Sequence, residues 1–207
     1  MSINIIEKYD RQFEYAGILM NVFIVYQLLQ LWVFPQPTQA EKIYSMSSLM
    51  AFEFVLVHSG VFMALMPKKW SLIIFVPFYG LFAYAFNKSM PNNVILITYM
   101  FVVLNRMRFA FFNVDKKFKD RTILFSIIAL IVYFILIFVV AFSSEILPPF
   151  GLTNEFLNLS GYNKLKSNLG GSGGLFLDAP QTGLCLGILY YSILAIIEGK
   201  LISYKGK

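Results

Sequence analysis

The sequence predicts an all-α integral membrane protein with six transmembrane helices and both termini on the cytoplasmic side. Three observations predict it. Of 207 residues, 58% are hydrophobic and only 14% charged, whereas a soluble domain carries about a quarter charged residues. The apolar residues fall into runs of membrane-crossing length, separated by mostly short polar segments. The basic residues divide unevenly between the two sides those runs define. With the N-terminus inside, Lys42, Lys88, Lys164 and Lys166 are outside, and the other thirteen of the 17 are inside. A bias of that size fixes the cytoplasmic side.

The chain reads as one polytopic domain, residues 1–207. Residues 1–12 are polar with interspersed isoleucines and suggest a short interfacial helix, with no cleavable leader before the first span. The first span, 13–34, stops at Pro35 and Pro37, since proline cannot continue the helical ladder. The second, 45–66, ends at Pro67 and two lysines. The third, 70–86, is short and contains Pro77 and Gly80, so a kinked or re-entrant segment is expected there. A re-entrant segment would invert the later spans and erase the charge bias, which favours a full crossing. The fourth span is 93–112, followed by the basic segment 113–121. The fifth, 122–147, is almost purely apolar and is the best candidate for a lipid-facing helix. Residues 148–180 form an outer loop containing Gly-Gly-Ser-Gly-Gly, and the sixth span, 181–201, leads to a basic tail.

The second span holds the feature that stands out. Its 22 residues reach roughly 33 Å, yet it contains Glu53 and the chain's single histidine, His58. A carboxylate at that depth costs several kcal/mol unless it is protonated, paired or hydrated, which makes it a candidate site. Glu53 and His58 are about 140° apart around the helix and do not share a stripe. Gly60 and Ala64 lie on the Glu53 side and let a neighbouring helix approach. In the sixth span Gly183 and Gly187 repeat that small-residue spacing, and Gly187, Tyr191 and Glu198 share one face. In the fourth span Asn105, Arg106 and Arg108 could join Glu14 and Glu198 in a cytoplasmic-side network, the bland alternative being arginines that reach lipid phosphate. Asp178 precedes the sixth span, as a helix cap or in an outer vestibule.

These features exclude several chemistries. One histidine and one cysteine, Cys185, cannot build the usual zinc clusters or a bis-histidine haem site, and no disulfide can form within the chain. Neither a phosphate-binding glycine loop nor a dinucleotide fingerprint is present. Ser59 points about 100° away from His58, which gives no support to a serine hydrolase. No cofactor, metal or nucleic acid is expected; the net charge of +6 meets anionic lipid at the cytoplasmic face. Two function classes remain in balance. One is a small oligomeric channel or ion-coupled transporter with an intramembrane carboxylate. The other is a non-catalytic membrane subunit, sensor or scaffold that binds a partner. An enzyme using Glu53 or Asp178 as acid or base ranks below both, because no second catalytic group converges on either.

Overall fold

The computed structural model describes residues 10–100, 103, 116–169 and 174–205. Among them the regular structure is helical throughout. Helix α1 is Asp10–Val33, and α2 is Ala40–Leu65. The turn between them contains the short 3-10 helix Pro37–Gln39. Then come α3, Val76–Asn87, a helical stretch at 94–100, and α4, Lys116–Phe142. Three short helices follow: α5, Asn154–Leu159, α6, Tyr162–Asn168, and α7, Leu175–Asp178. The last is α8, Pro180–Lys205.

Three of the described helices are long and apolar enough to cross a membrane: Glu14–Val33, Ile123–Phe142 and Pro180–Leu201. The other three expected spans look different. Helix α2 has 26 residues and is on average no less apolar than α1 or α8, but the side chains of 60, 63 and 64 near its end lie outside the described residues. The third is the shorter apolar helix Ile73–Asn87. Most of the second half of the fourth, 93–112, falls outside the described residues.

Helix α8 is the centre of the bundle. It packs along α1, α2 and α4, and 182–187, Tyr190 and Leu194 are buried. Residue pairing gives the helix directions. Glu198 lies beside Gly17 and Gly187 beside Leu28, so α8 runs antiparallel to α1. Gly183 lies against Ser47 and Gly187 against Met50, so α8 runs parallel to α2. Helix α4 runs opposite to α8, with Arg121 level with Glu14 and Tyr133 level with Tyr190. The close approach of α8 needs glycine. A Cβ on Gly183 would lie 3.1 Å from Ser47 Cα, and one on Gly187 would lie 2.6 Å from Leu28 Cδ1 and also meet Met50 Sδ.

The expected fifth span begins and ends early. Helix α4 is already helical at Lys116, inside the basic segment, and stops at Phe142. Ser143–Leu147 form turns instead, where serines compete with the helical ladder and two prolines follow. Helix α4 is also two-faced. Ser126, Ala129, Tyr133, Leu136 and Val140 are buried, while Leu124, Ile131, Phe134, Ile135, Phe138 and Phe142 are exposed. Its outer face fits lipid; its inner face holds the bundle.

The third segment is one continuous helix with a defect. Lys68–Trp70 is α-helical, and Ser71–Phe75 is a π-helical turn that joins α3. The wider turn falls just before Pro77, whose ring and missing N–H would disrupt a regular ladder. Tyr99 packs on Gly80 and its hydroxyl donates to the Val76 carbonyl, bracing the defect.

Residues 148–169 and 174–178 are folded into a cap over the end of the bundle where α1 finishes and α2 and α8 begin. Trp32 Nε1 donates to the Pro148 carbonyl at 3.1 Å, and the Gly151 amide donates to the Trp32 carbonyl at 3.1 Å. Phe150, at φ 48°, sets its ring edge-on to Trp32 at 5.2 Å. Thr153 caps α5 by accepting from the Phe156 amide. Tyr162 is fully buried, packs near Tyr44 and donates to the Leu177 carbonyl at 3.0 Å.

Gly151 and Gly187 give a graded prediction. A Cβ at Gly151 would fall 2.8 Å from Pro35 Cγ and 2.9 Å from the Val33 carbonyl oxygen. A rigid ring and backbone cannot step aside, so Gly151→Ala is expected to cost about 2 kcal/mol. Gly187→Ala meets the ends of two flexible side chains and is expected to cost less, about 1 kcal/mol. Thermal unfolding of both variants in one detergent checks the order.

Candidate functional site

Glu53 sits at the middle of α2 and is half-buried. The turn that carries it is gripped from two sides. From α4, the Tyr133 hydroxyl donates to the Met50 carbonyl, one turn before Glu53. From α8, Tyr191 lies close to the Glu53 carboxylate. Tyr190 stands edge-on to Tyr133, with ring centroids 5.4 Å apart and planes at 86°. Tyr133 and Tyr190 are 0% and 2% exposed. The site is therefore a carboxylate on α2 where α4 and α8 pack against it, with tyrosines of both helices nearby.

A second polar cluster lies further along α8. Asn21 Nδ2 donates to Glu198 Oε2 at 3.1 Å, and Gly17 leaves the Glu198 carboxylate close to the α1 backbone. One turn earlier on α1, Glu14 pairs with Arg121 of α4 at 2.9 Å. Glu14, Gly17 and Asn21 share one face of α1 by their spacing. Asn21 is a buried amide, and burying it without a partner would cost about 1–3 kcal/mol.

The expected site residues separate into groups. Glu53 and Glu198 each lie against α8 or α1 as described. His58 is directed to its own helix. Its Nδ1 lies 3.1 Å from the Phe54 carbonyl, and a carbonyl only accepts, so Nδ1 carries the proton. Its ring is 4.2 Å from that of Phe54 and 6.4 Å from that of Phe62. Gly183 and Gly187 face α2. Asn105, Arg106 and Arg108 lie outside the described residues, as do the side-chain surroundings of Gly60 and Ala64.

Asp178 belongs to the cap. It takes Lys166 Nζ at 2.8 Å and the Gly174 amide at 2.8 Å, tying α6 to α7 across the glycine-rich segment. The Lys166 hydrogen bond first, and the Gly174 amide second, hold its carboxyl below the ordinary value.

Four residues of these clusters were not singled out as polar partners by the sequence: Tyr133, Tyr191, Asn21 and Arg121. Tyrosines in apolar spans read as hydrophobic bulk. Arg121 read as a loop charge because the helix start was set too late. Asn21 carried a usable signal, a lone amide at helical spacing from Glu14 and Gly17.

Comparison with protein-family models, with curated proteins and with solved structures gives no match.

The Asp178 clamp is pH-sensitive with a defined sign. Its folded-state pKa is lowered, so its contribution is complete above the unfolded carboxyl value, about 3.9, and is lost as pH falls through the folded one. Asp178→Asn is expected to raise amide exchange across 162–178 at neutral pH and to leave wild type and variant alike in strong acid. Hydrogen-exchange mass spectrometry at both pH values checks it.

Proposed function

We propose that this chain is a small multi-pass transport protein of the cell membrane, a channel or ion-coupled carrier in which Glu53 lies on the ion path. The observation that carries this reading is Glu53 itself, half-buried at the middle of the 26-residue helix α2, which packs against both α4 and α8. A carboxylate there is costly, and a purely packing role is filled more cheaply by an apolar residue. The proposal includes six spans with both termini cytoplasmic. The alternating directions of α1, α2, α4 and α8 and the distribution of basic residues support it. Six helices leave little room for a pathway within one chain, so the proposed assembly is a homo-oligomer whose interface supplies it, with the basic loops on anionic lipid.

A second reading is supported by the cap. It is folded, and it presents Phe150 and Leu159 to the outside at 53% and 78% exposure. A membrane subunit that docks a partner protein through that surface would use it, and partner capture after mild extraction would favour this reading.

In liposomes containing the purified chain, ion flux is expected in the wild type. Glu53→Gln is expected to lower it by about an order of magnitude, and His58→Ala to leave it close to wild type. Unchanged flux in Glu53→Gln removes Glu53 from the path.

A further inference from the structure

We propose that the outer face of α1 is the contact between two copies of this chain, closed by hydrogen bonds between the amides of Gln27 and Gln30. It gives the homo-oligomer of the reading above its contact face, and it rests on α1 crossing the membrane rather than on conduction. The span Glu14–Val33 contains three amide side chains, and they are treated differently. Asn21 is buried against α8 and donates to Glu198 at 3.1 Å. Gln27 and Gln30 have no hydrogen-bond partner among the described residues, although both are partly covered. An amide facing hydrocarbon with its donors and acceptor unmet is costly, and a neighbouring helix is the usual source of its partner.

The depth of these amides keeps water from serving instead. Counted from the middle of the span, Gln27 lies about 5 Å and Gln30 about 10 Å toward its C-terminal end, inside a hydrocarbon half-thickness of about 15 Å. Side chains on a helix lean toward its N-terminus, so both amides tilt back into the membrane and not out to the nearer surface. Apolar residues lie further out still. Phe34, one turn beyond Gln30, is 75% exposed. Phe142 is about level with it, since α1 and α4 run the same way from the Glu14–Arg121 pair, and it is 84% exposed. Rings that bare at the outer surface of the bundle belong in acyl chains, which therefore extend past Gln30.

The pattern around the amides says what kind of partner fits. Ala16, Met20, Phe23, Gln27, Gln30 and Phe34 follow one another at alternating steps of four and three. That is the spacing of a two-helix seam. It lies about 120° around α1 from the stripe of Gly17, Asn21 and Leu28 that faces α8. Ala16, Met20, Phe23 and Phe34 are all exposed, so the bundle leaves the seam open. Copies of one chain insert with one orientation, and two such seams meet in parallel about a two-fold axis along the membrane normal. Equivalent positions then face each other, Gln27 against Gln27 and Gln30 against Gln30. Each amide both donates and accepts, so it is its own complement. A partner of other sequence would have to supply matching amides at both levels; a second copy carries them already.

The test uses the full chain in phosphatidylcholine vesicles. Lys164, exposed in the cap, is replaced by cysteine for donor and acceptor dyes in a Cys185→Ser background, and energy transfer is followed as lipid dilutes the protein. Self-association is expected in the chain with both glutamines. Gln27→Leu with Gln30→Leu is expected to weaken it about tenfold, and Gln27→Asn with Gln30→Asn to restore part of it. A second measurement keeps both glutamines and maps the contact by oxidative cross-linking of single cysteines. Phe23→Cys and Phe34→Cys are expected to give disulfide-linked dimers. Val22→Cys, at a site 53% exposed but off the seam, is expected to stay monomeric. Association unchanged in the leucine pair overturns the proposal, as do equal cross-linking at Val22→Cys and a chain that is monomeric at every dilution. The last result means that lipid or a different protein covers the face. Neither readout involves flux, so this contact and the transport reading stand or fall separately.

Discussion

The close approach of α8 to α2 is the contact on which the rest depends. In lipid there is little hydrophobic force to bring helices together, and surface fit and interhelical hydrogen bonds must do it. Gly183 and Gly187 let α8 settle on Ser47 and Met50. That depth of contact brings Tyr191 within reach of Glu53. It also leaves α8 able to meet α1 along Leu28, Asn21 and Gly17. Bulk at either glycine would push α8 outward and part the phenol from the carboxylate, so packing and polar chemistry are one constraint.

Two interior carboxylates are satisfied by different kinds of partner, Glu198 by an amide and Glu14 by a guanidinium. The Glu14–Arg121 ion pair ties α1 to α4, and the Asn21–Glu198 hydrogen bond ties α1 to α8. Both ties lie within one connected group of helices.

The helical class and the placement of Glu53 inside a long helix were legible in the sequence, because both rest on local composition. A carboxylate inside a long apolar run is visible without knowing its neighbours. Its neighbour Tyr191 was not visible, since it is 138 positions away and a tyrosine does not lower the apparent hydropathy of a span enough to mark it. The Gly183–Gly187 spacing indicated a close approach but did not say which helix would come. Arg121 was hidden by a boundary set too late, as hydropathy reads charged helical residues as loop. The cap was hidden for a different reason. Its helices have four to seven residues, too short for a periodic pattern, and they are held by tertiary bonds to Trp32, Tyr44 and Asp178.

The π-helical turn at Ser71–Phe75 has a mechanical meaning. A π turn accommodates one residue more than an α turn. Tightening it to α geometry would displace that residue into the following segment and rotate everything beyond it by about 100°. Helix α3 would then present a new stripe to its neighbours, exchanging Gly80 for a bulkier side chain against Tyr99. A defect that spans five residues thus sets which face this shorter apolar helix turns to its neighbours.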